Sequence, residues 1–143
     1  MSRPWSCSSV RDVMHRVTLV DGDKSVAETA KIMMRTATTV TREIGSVLVA
    51  KNNEPIGILT ERDILKKVVA TGLDPAVTKI SQVMSAPLIT VPVDMSVGEA
   101  SRIMIEKGIR RLPVTEGNKI VGIITTRDIT REMAARFLSR KKE

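Results

Sequence analysis

The residues of this chain best suited to chemistry stand in a heptad that occurs twice, GILTERD at 57–63 and GIITTRD at 122–128. Gly, Thr and Asp hold the first, fourth and seventh places of both copies, while the third and fifth letters drift. An Asp carboxylate has two acceptor oxygens, enough to take hydrogen bonds from both hydroxyls of a ribose, and a Thr hydroxyl can serve sugar or phosphate. Each heptad lies where a β-branched apolar run gives way to a helical pattern. A helix start adds unpaired N–H groups and partial positive charge, which suit phosphate. Thr60, Asp63, Thr125 and Asp128 are therefore the candidate ribose- and phosphate-binding residues. The same letters also admit a structural reading, in which Thr60 and Thr125 cap the following helix and Asp63 and Asp128 favour its positive end. Gly57 and Gly122 would then allow close packing or a bulge. Spacing alone leaves both readings open.

The heptads are the clearest part of a longer internal repeat. Val13-Met14 matches Val83-Met84, Ser25-Val26-Ala27-Glu28 matches Ser96-Val97-Gly98-Glu99, and Ile44 to Val49 matches Ile109 to Val114. Each half opens with a β-branched strand, RVTLV (16–20) or PLITV (87–91). A helix follows, begun by Ser25 or Ser96 with Glu28 or Glu99 three residues on, the spacing of a reciprocal cap. Val26, Ala30 and Met33, and Val97, Ala100 and Met104, form its apolar stripe. Two strands then make a hairpin around KNNE or EGN, and a second helix closes the half, with Ile64, Leu65, Val68 and Val69 or Ile129, Met133 and Phe137 as its apolar face. The expected class is α+β, two pseudo-symmetric β-α-β-β-α repeats. The divisions are a flexible leader 1–9, repeat 10–70, linker 71–79, repeat 80–138 and basic tail 139–143. The first half is longer by a polar stretch at 35–43, readable as helix extension or loop.

The 143 residues suit two small units, and 42% apolar content suffices for a core. One Trp, one Phe and no Tyr make that core aliphatic and argue against stacking nucleic acid bases on aromatic platforms. A formal charge of +7 favours anionic partners in general. A single cysteine, Cys7, excludes an internal disulfide, and no apolar run suits a membrane span or signal peptide, so a soluble cytoplasmic protein is expected. His15 reads as a loop residue, the methionines as core filler, and Arg62 and Arg127 as solvated. No nucleophile–base pair, carboxylate pair or metal-ligand cluster supports catalysis or a metal site.

The two GxxTxxD copies, the VM opening each half, the SVxE helix starts and GIRRLPV at 108–114 resemble the cystathionine β-synthase (CBS) domain pair, or Bateman module, over about residues 10–135. The resemblance implies a regulatory module that binds AMP, ADP or ATP, or alternatively S-adenosylmethionine, in clefts between the halves, with no cofactor required. It implies that Thr60 with Asp63, and Thr125 with Asp128, hold ribose. Adenine would lie against the opposite half, at Leu88, Ile89 and Ile109 for the Asp63 cleft and Val17, Thr18 and Ile44 for the Asp128 cleft. Arg110 and Arg111 match a basic pair that neutralises phosphates, a task that guanidinium geometry suits. The first half has Gly45 and Ser46 there, so the clefts should differ in phosphate affinity. The resemblance further implies a homodimer through the second helices. A nucleic-acid-binding protein using the basic surface is the other reading.

Overall fold

The computed structural model describes residues 8–39 and 45–141. They form two compact units, one of Thr18–Leu88, the other of 8–17 together with 89–141. The architecture is α+β, with one three-stranded sheet in each unit.

In the Thr18–Leu88 unit the order is β1 (Leu19–Asp21), α2 (Val26–Thr39), β2 (Ser46–Lys51), β3 (Glu54–Thr60) and α3 (Glu61–Ile64), which runs on into a π-helical turn at Leu65–Val69. Helix α1 (Val10–Val13) precedes them in the chain but belongs to the other unit. β1 pairs parallel to β2 and β2 antiparallel to β3. Asn52 and Asn53 make the tight turn between β2 and β3, both at positive φ, which asparagine tolerates better than most side chains. In the other unit β4 (Val91–Pro92), α4 (Val97–Lys107), β5 (Arg111–Glu116), β6 (Lys119–Thr125) and α5 (Thr126–Lys141) repeat the order and the pairing. A register shift falls at Val49/Ala50 in one sheet and at Val114/Thr115 in the other, so the repeat extends to its irregularities.

The cores are aliphatic, as the composition requires. Val20, Val26, Met33, Val47, Val49, Leu59, Val68 and Ile80 fill one, and Val10, Val91, Val97, Met104, Leu112, Val114 and Ile124 are among those filling the other. Of the expected stripe of the first helix, Val26, Met33, Val97, Ala100 and Met104 are buried and Ala30 is half-buried. Ser25 caps α2 by accepting the N–H of Glu28 at 3.1 Å, and Ser96 caps α4 through Glu99 at the same distance.

Several expectations are corrected. The opening strands are shorter and later than RVTLV and PLITV, because sheet pairing begins at Leu19 and Val91. The apolar face of the second helix splits: Ile64 and Val68 pack inward, but Leu65 is 64% and Val69 63% exposed, since a π-helical turn presents a different set of residues than a 3.6-residue period does. Met133 and Phe137 are likewise exposed, and Ile129 alone of that trio is buried. Helix α2 is three residues longer than α4, so part of the polar excess in the first half is helix extension. Ser8 and Ser9, read as leader, are tied to β4–α4: the Ser8 carbonyl accepts the Val97 N–H at 2.7 Å, and Ser9 bridges Ser96. Cys7 and the rest of the leader lie outside the described residues, as does Ile44. The 71–79 stretch is docked to its own unit, with the Pro75 and Thr78 carbonyls accepting the Ala27 and Val26 N–H groups of α2 at 2.9 and 2.8 Å. Residues 139–141, read as tail, continue α5.

Candidate ligand site

Each heptad runs off the end of a hairpin strand into a helix, and its Gly, Thr and Asp have three separate tasks. Thr60 and Asp63 form a reciprocal cap. The Asp63 N–H donates to Thr60 Oγ1 at 3.1 Å, while Asp63 Oδ2 accepts the Thr60 N–H at 3.0 Å and the Thr60 hydroxyl at 3.1 Å. Thr125 and Asp128 repeat this at 3.2, 2.9 and 3.0 Å. Both aspartates are buried.

The glycine explains itself through the segment that lies on it. A Cβ at Gly57 would stand 2.5 Å from Met84 Sδ and 2.9 Å from the Ser85 carbonyl oxygen; at Gly122 the corresponding atoms are Met14 Sδ at 2.8 Å and the His15 carbonyl oxygen at 3.0 Å. Ser85 and Ile58 exchange both backbone hydrogen bonds, at 2.8 and 3.0 Å, and His15 and Ile123 do the same at 3.0 Å each. The glycines thus admit the residue after each VM to the strand that carries the heptad, and that residue reaches the Asp. Ser85 Oγ donates to Asp63 Oδ1 at 2.9 Å, and His15 Nδ1 lies 2.9 Å from Asp128 Oδ2. A carboxylate only accepts, so Nδ1 carries the proton in that bond.

Beyond this frame the copies diverge. Lys67, one helical turn after Asp63, places Nζ 3.1 Å from Asp63 Oδ1 and also donates to the Val83 carbonyl at 3.1 Å. Glu132 holds the matching place after Asp128 and is paired instead with Arg136 at 2.9 Å. Burial pushes the Asp63 carboxyl upward, but the Thr60, Lys67 and Ser85 hydrogen bonds and the Lys67 charge outweigh it and hold the group below the ordinary carboxylate value. Burial likewise works against ionised Asp128, and His15, by hydrogen bond and charge, with Thr125 brings it below the ordinary value. Nothing among the described residues donates to Asp128 Oδ1, and no buried side-chain oxygen there lacks a partner, so Oδ1 is the oxygen that solvent reaches.

The Arg110 carbonyl accepts the Thr126 N–H at 3.0 Å, which sets exposed Arg110 beside the start of α5. Arg111 is directly across the ladder from Thr125, and side chains opposite each other share a face. Gly45 and Ser46 occupy the same two positions in the other unit, with Glu61 N–H donating to the Gly45 carbonyl at 3.1 Å. Of the residues expected at adenine, Thr18 and Leu88 belong to the Thr18–Leu88 unit and Val17, Ile89 and Ile109 to the other. The Thr18 carbonyl accepts the Leu48 N–H at 2.8 Å, and Ile109 packs against its unit's core. Reading the sequence missed His15, Ser85 and Lys67. The signal for the first two was the aligned polar residue after each VM; for Lys67 it was the turn-spaced basic residue after Asp63.

The family model described as CBS domain matches residues 10–70 and 80–135, the two stretches that carry the repeated strand–helix cap and VM segment. The chain belongs to the CBS-domain family. An uncharacterized protein of Methanopyrus kandleri is 50% identical over 88 residues, 60% of this chain and 45% of that protein, so this chain spans under half of that relative. The CBS domain-containing protein YhcV of Bacillus subtilis is 34% identical over 85% of this chain and 83% of its own. The crystal structure of an uncharacterized conserved protein from Pyrococcus horikoshii superposes with a TM-score of 0.80 at 28% identity, covering 88% of this chain and 92% of that one. Among the described residues of this CBS pair, no helix is long and apolar enough to cross a membrane.

Proposed function

We propose that this CBS pair is a regulatory module that binds an adenine nucleotide, AMP, ADP or ATP, and does no chemistry of its own. CBS pairs as a family bind adenosine ligands for regulation. The observation that carries the reading here is the buried Thr–Asp pair at a helix start, present in both units with matching geometry. A cap alone needs one carboxylate oxygen, and in each copy the cap uses Oδ2; Oδ1 is surplus to it. A ribose diol is a pair of neutral donors that such an oxygen can accept. Arg110 and Arg111, on the strand end beside Thr125 and Thr126, are the phosphate-binding residues of this reading.

Regulation follows from linkage: a nucleotide that binds one arrangement of the chain better than another shifts the population toward it, and a partner that reads the arrangement responds. The reading includes a homodimer through the second helices, supported by Met133 at 49% and Phe137 and Leu138 at 59% exposure along α5. Calorimetric titration with AMP, ADP, ATP and S-adenosylmethionine tests the function. Saturable binding of an adenine nucleotide is the expected result; tighter binding of S-adenosylmethionine would redirect the ligand assignment, and heat from none of the four would end the proposal.

A further inference from the structure

The two heptads are alike in backbone and unlike in what remains open on the carboxylate. An ionised Asp offers about four lone-pair positions. On Asp63 all four are taken, by the Thr60 N–H and hydroxyl on Oδ2 and by Ser85 Oγ and Lys67 Nζ on Oδ1. On Asp128 three donors, the Thr125 N–H, the Thr125 hydroxyl and His15 Nδ1, converge on Oδ2 and leave Oδ1 to solvent. A diol meets two open lone pairs at Asp128; at Asp63 it must displace an ammonium ion or a hydroxyl.

The surrounding charge runs the same way. Lys67 is anchored by the Val83 carbonyl as well as by Asp63, so releasing it leaves a second acceptor unpaired. The first residue of α3 is Glu61, facing the carbonyl of Gly45, where α5 begins with Thr126, facing the carbonyl of Arg110. The charged side chain contributed at these two positions is a carboxylate, Glu61, in one copy and a guanidinium, Arg110, in the other. Helix α5 runs sixteen residues, whereas α3 gives way to the π-helical turn after four. Glu132, the acidic residue nearest in sequence to Asp128 on α5, is held by Arg136.

We propose that the two copies have divided their tasks: Asp128 is the ligand-accepting carboxylate, and Asp63 is closed by Lys67 and Ser85 into a structural cap. Lys67 is the residue that makes the difference. This rests on the nucleotide reading above, and the experiment separates the two. AMP is titrated by calorimetry into the unaltered protein, Asp63→Asn, Asp128→Asn and Lys67→Gln. One AMP per chain is expected in the unaltered protein, with Asp128→Asn weakening it about tenfold or more relative to Asp63→Asn, the effect of losing a hydrogen bond to a charged acceptor. Lys67→Gln, which leaves both caps intact, gains a second and weaker binding event. Two equal sites in the unaltered protein, equal or reversed losses in the Asp variants, or no second event in Lys67→Gln overturn the division while leaving the nucleotide reading standing. Absence of binding by the unaltered protein ends both. Should Asp128→Asn fail to fold, as circular dichroism would show, the unaltered stoichiometry and Lys67→Gln still decide.

Discussion

The hydroxyl of Ser85 donates to Oδ1 of Asp63 across 2.9 Å, twenty-two residues apart in the chain, and it arrives there on a backbone pressed against Gly57. His15 and Asp128 are the same arrangement with an imidazole in place of the hydroxyl. Glycine, threonine and aspartate thus form one device: the first admits a strand, the second caps a helix, and the third ties both together.

Gly57→Ala should destabilise the protein by about 1–3 kcal/mol, the usual cost of overpacking, because one of the atoms its Cβ would meet is the Ser85 backbone oxygen and cannot swing aside. Gly122→Ala should cost less, its nearest contacts being at 2.8, 3.0 and 3.2 Å against 2.5, 2.9 and 3.0 Å at Gly57. Urea unfolding of both variants checks the order; a Gly57→Ala protein as stable as the parent would refute the close-approach account.

Thr125→Ala should lose about 0.5–2 kcal/mol, the range for removing a capping side chain, while Thr125→Ser keeps the hydroxyl and recovers most of it. Thermal unfolding of the pair distinguishes this from a loss of methyl packing, in which serine would fare no better than alanine.

His15→Ala removes one donor from a carboxylate that is 9% exposed and should cost about 1.5–3 kcal/mol, as hydrogen bonds to charged groups do. It should also raise the Asp128 pKa, since the imidazole is a cause of its lowering. A carboxyl-carbon NMR titration that left Asp128 where it was would contradict the pairing.

Acid should weaken the fold through both aspartates. Their folded values are lowered below the unfolded value of about 3.9, so the unfolded chain takes up the protons first. The stabilisation is complete above that value and is lost as pH falls from about 4 through the folded values. Relative to the parent, Asp63→Asn and Asp128→Asn should each flatten the stability profile below about pH 4. An unchanged acid slope in both would show that other carboxylates carry it.

Light scattering across a concentration series should report a dimer, with Phe137→Glu on exposed α5 shifting it toward monomer. A monomer at every concentration would remove the second-helix contact.

The repeat and its order of elements were legible because apolar period, cap spacing and turn letters agree in both halves; Ser25, Ser96, Thr60 and Thr125 all cap the helices their positions imply. The outward turn of Leu65 and Val69 was hidden because the π-helical turn breaks the period used to read them. The pairing of His15 with Asp128 was hidden for another reason: 113 residues separate them, and only the strand docking at Gly122 makes them neighbours. Asp63 and Asp128 read as equivalent in the heptad, and their difference lies in Lys67, Glu132, Ser85 and His15, outside the matching letters.

One unit joins residues 8–17 to residues 89–141, while the other is a continuous stretch. During synthesis the continuous unit has all its strands once Leu88 has emerged. The earliest residues must wait: Val10 and His15 find Met95 and Ile123 only when the far end has been made. The Thr18–Leu88 unit is accordingly able to form first, and the copy of the heptad that carries Asp128 closes after it.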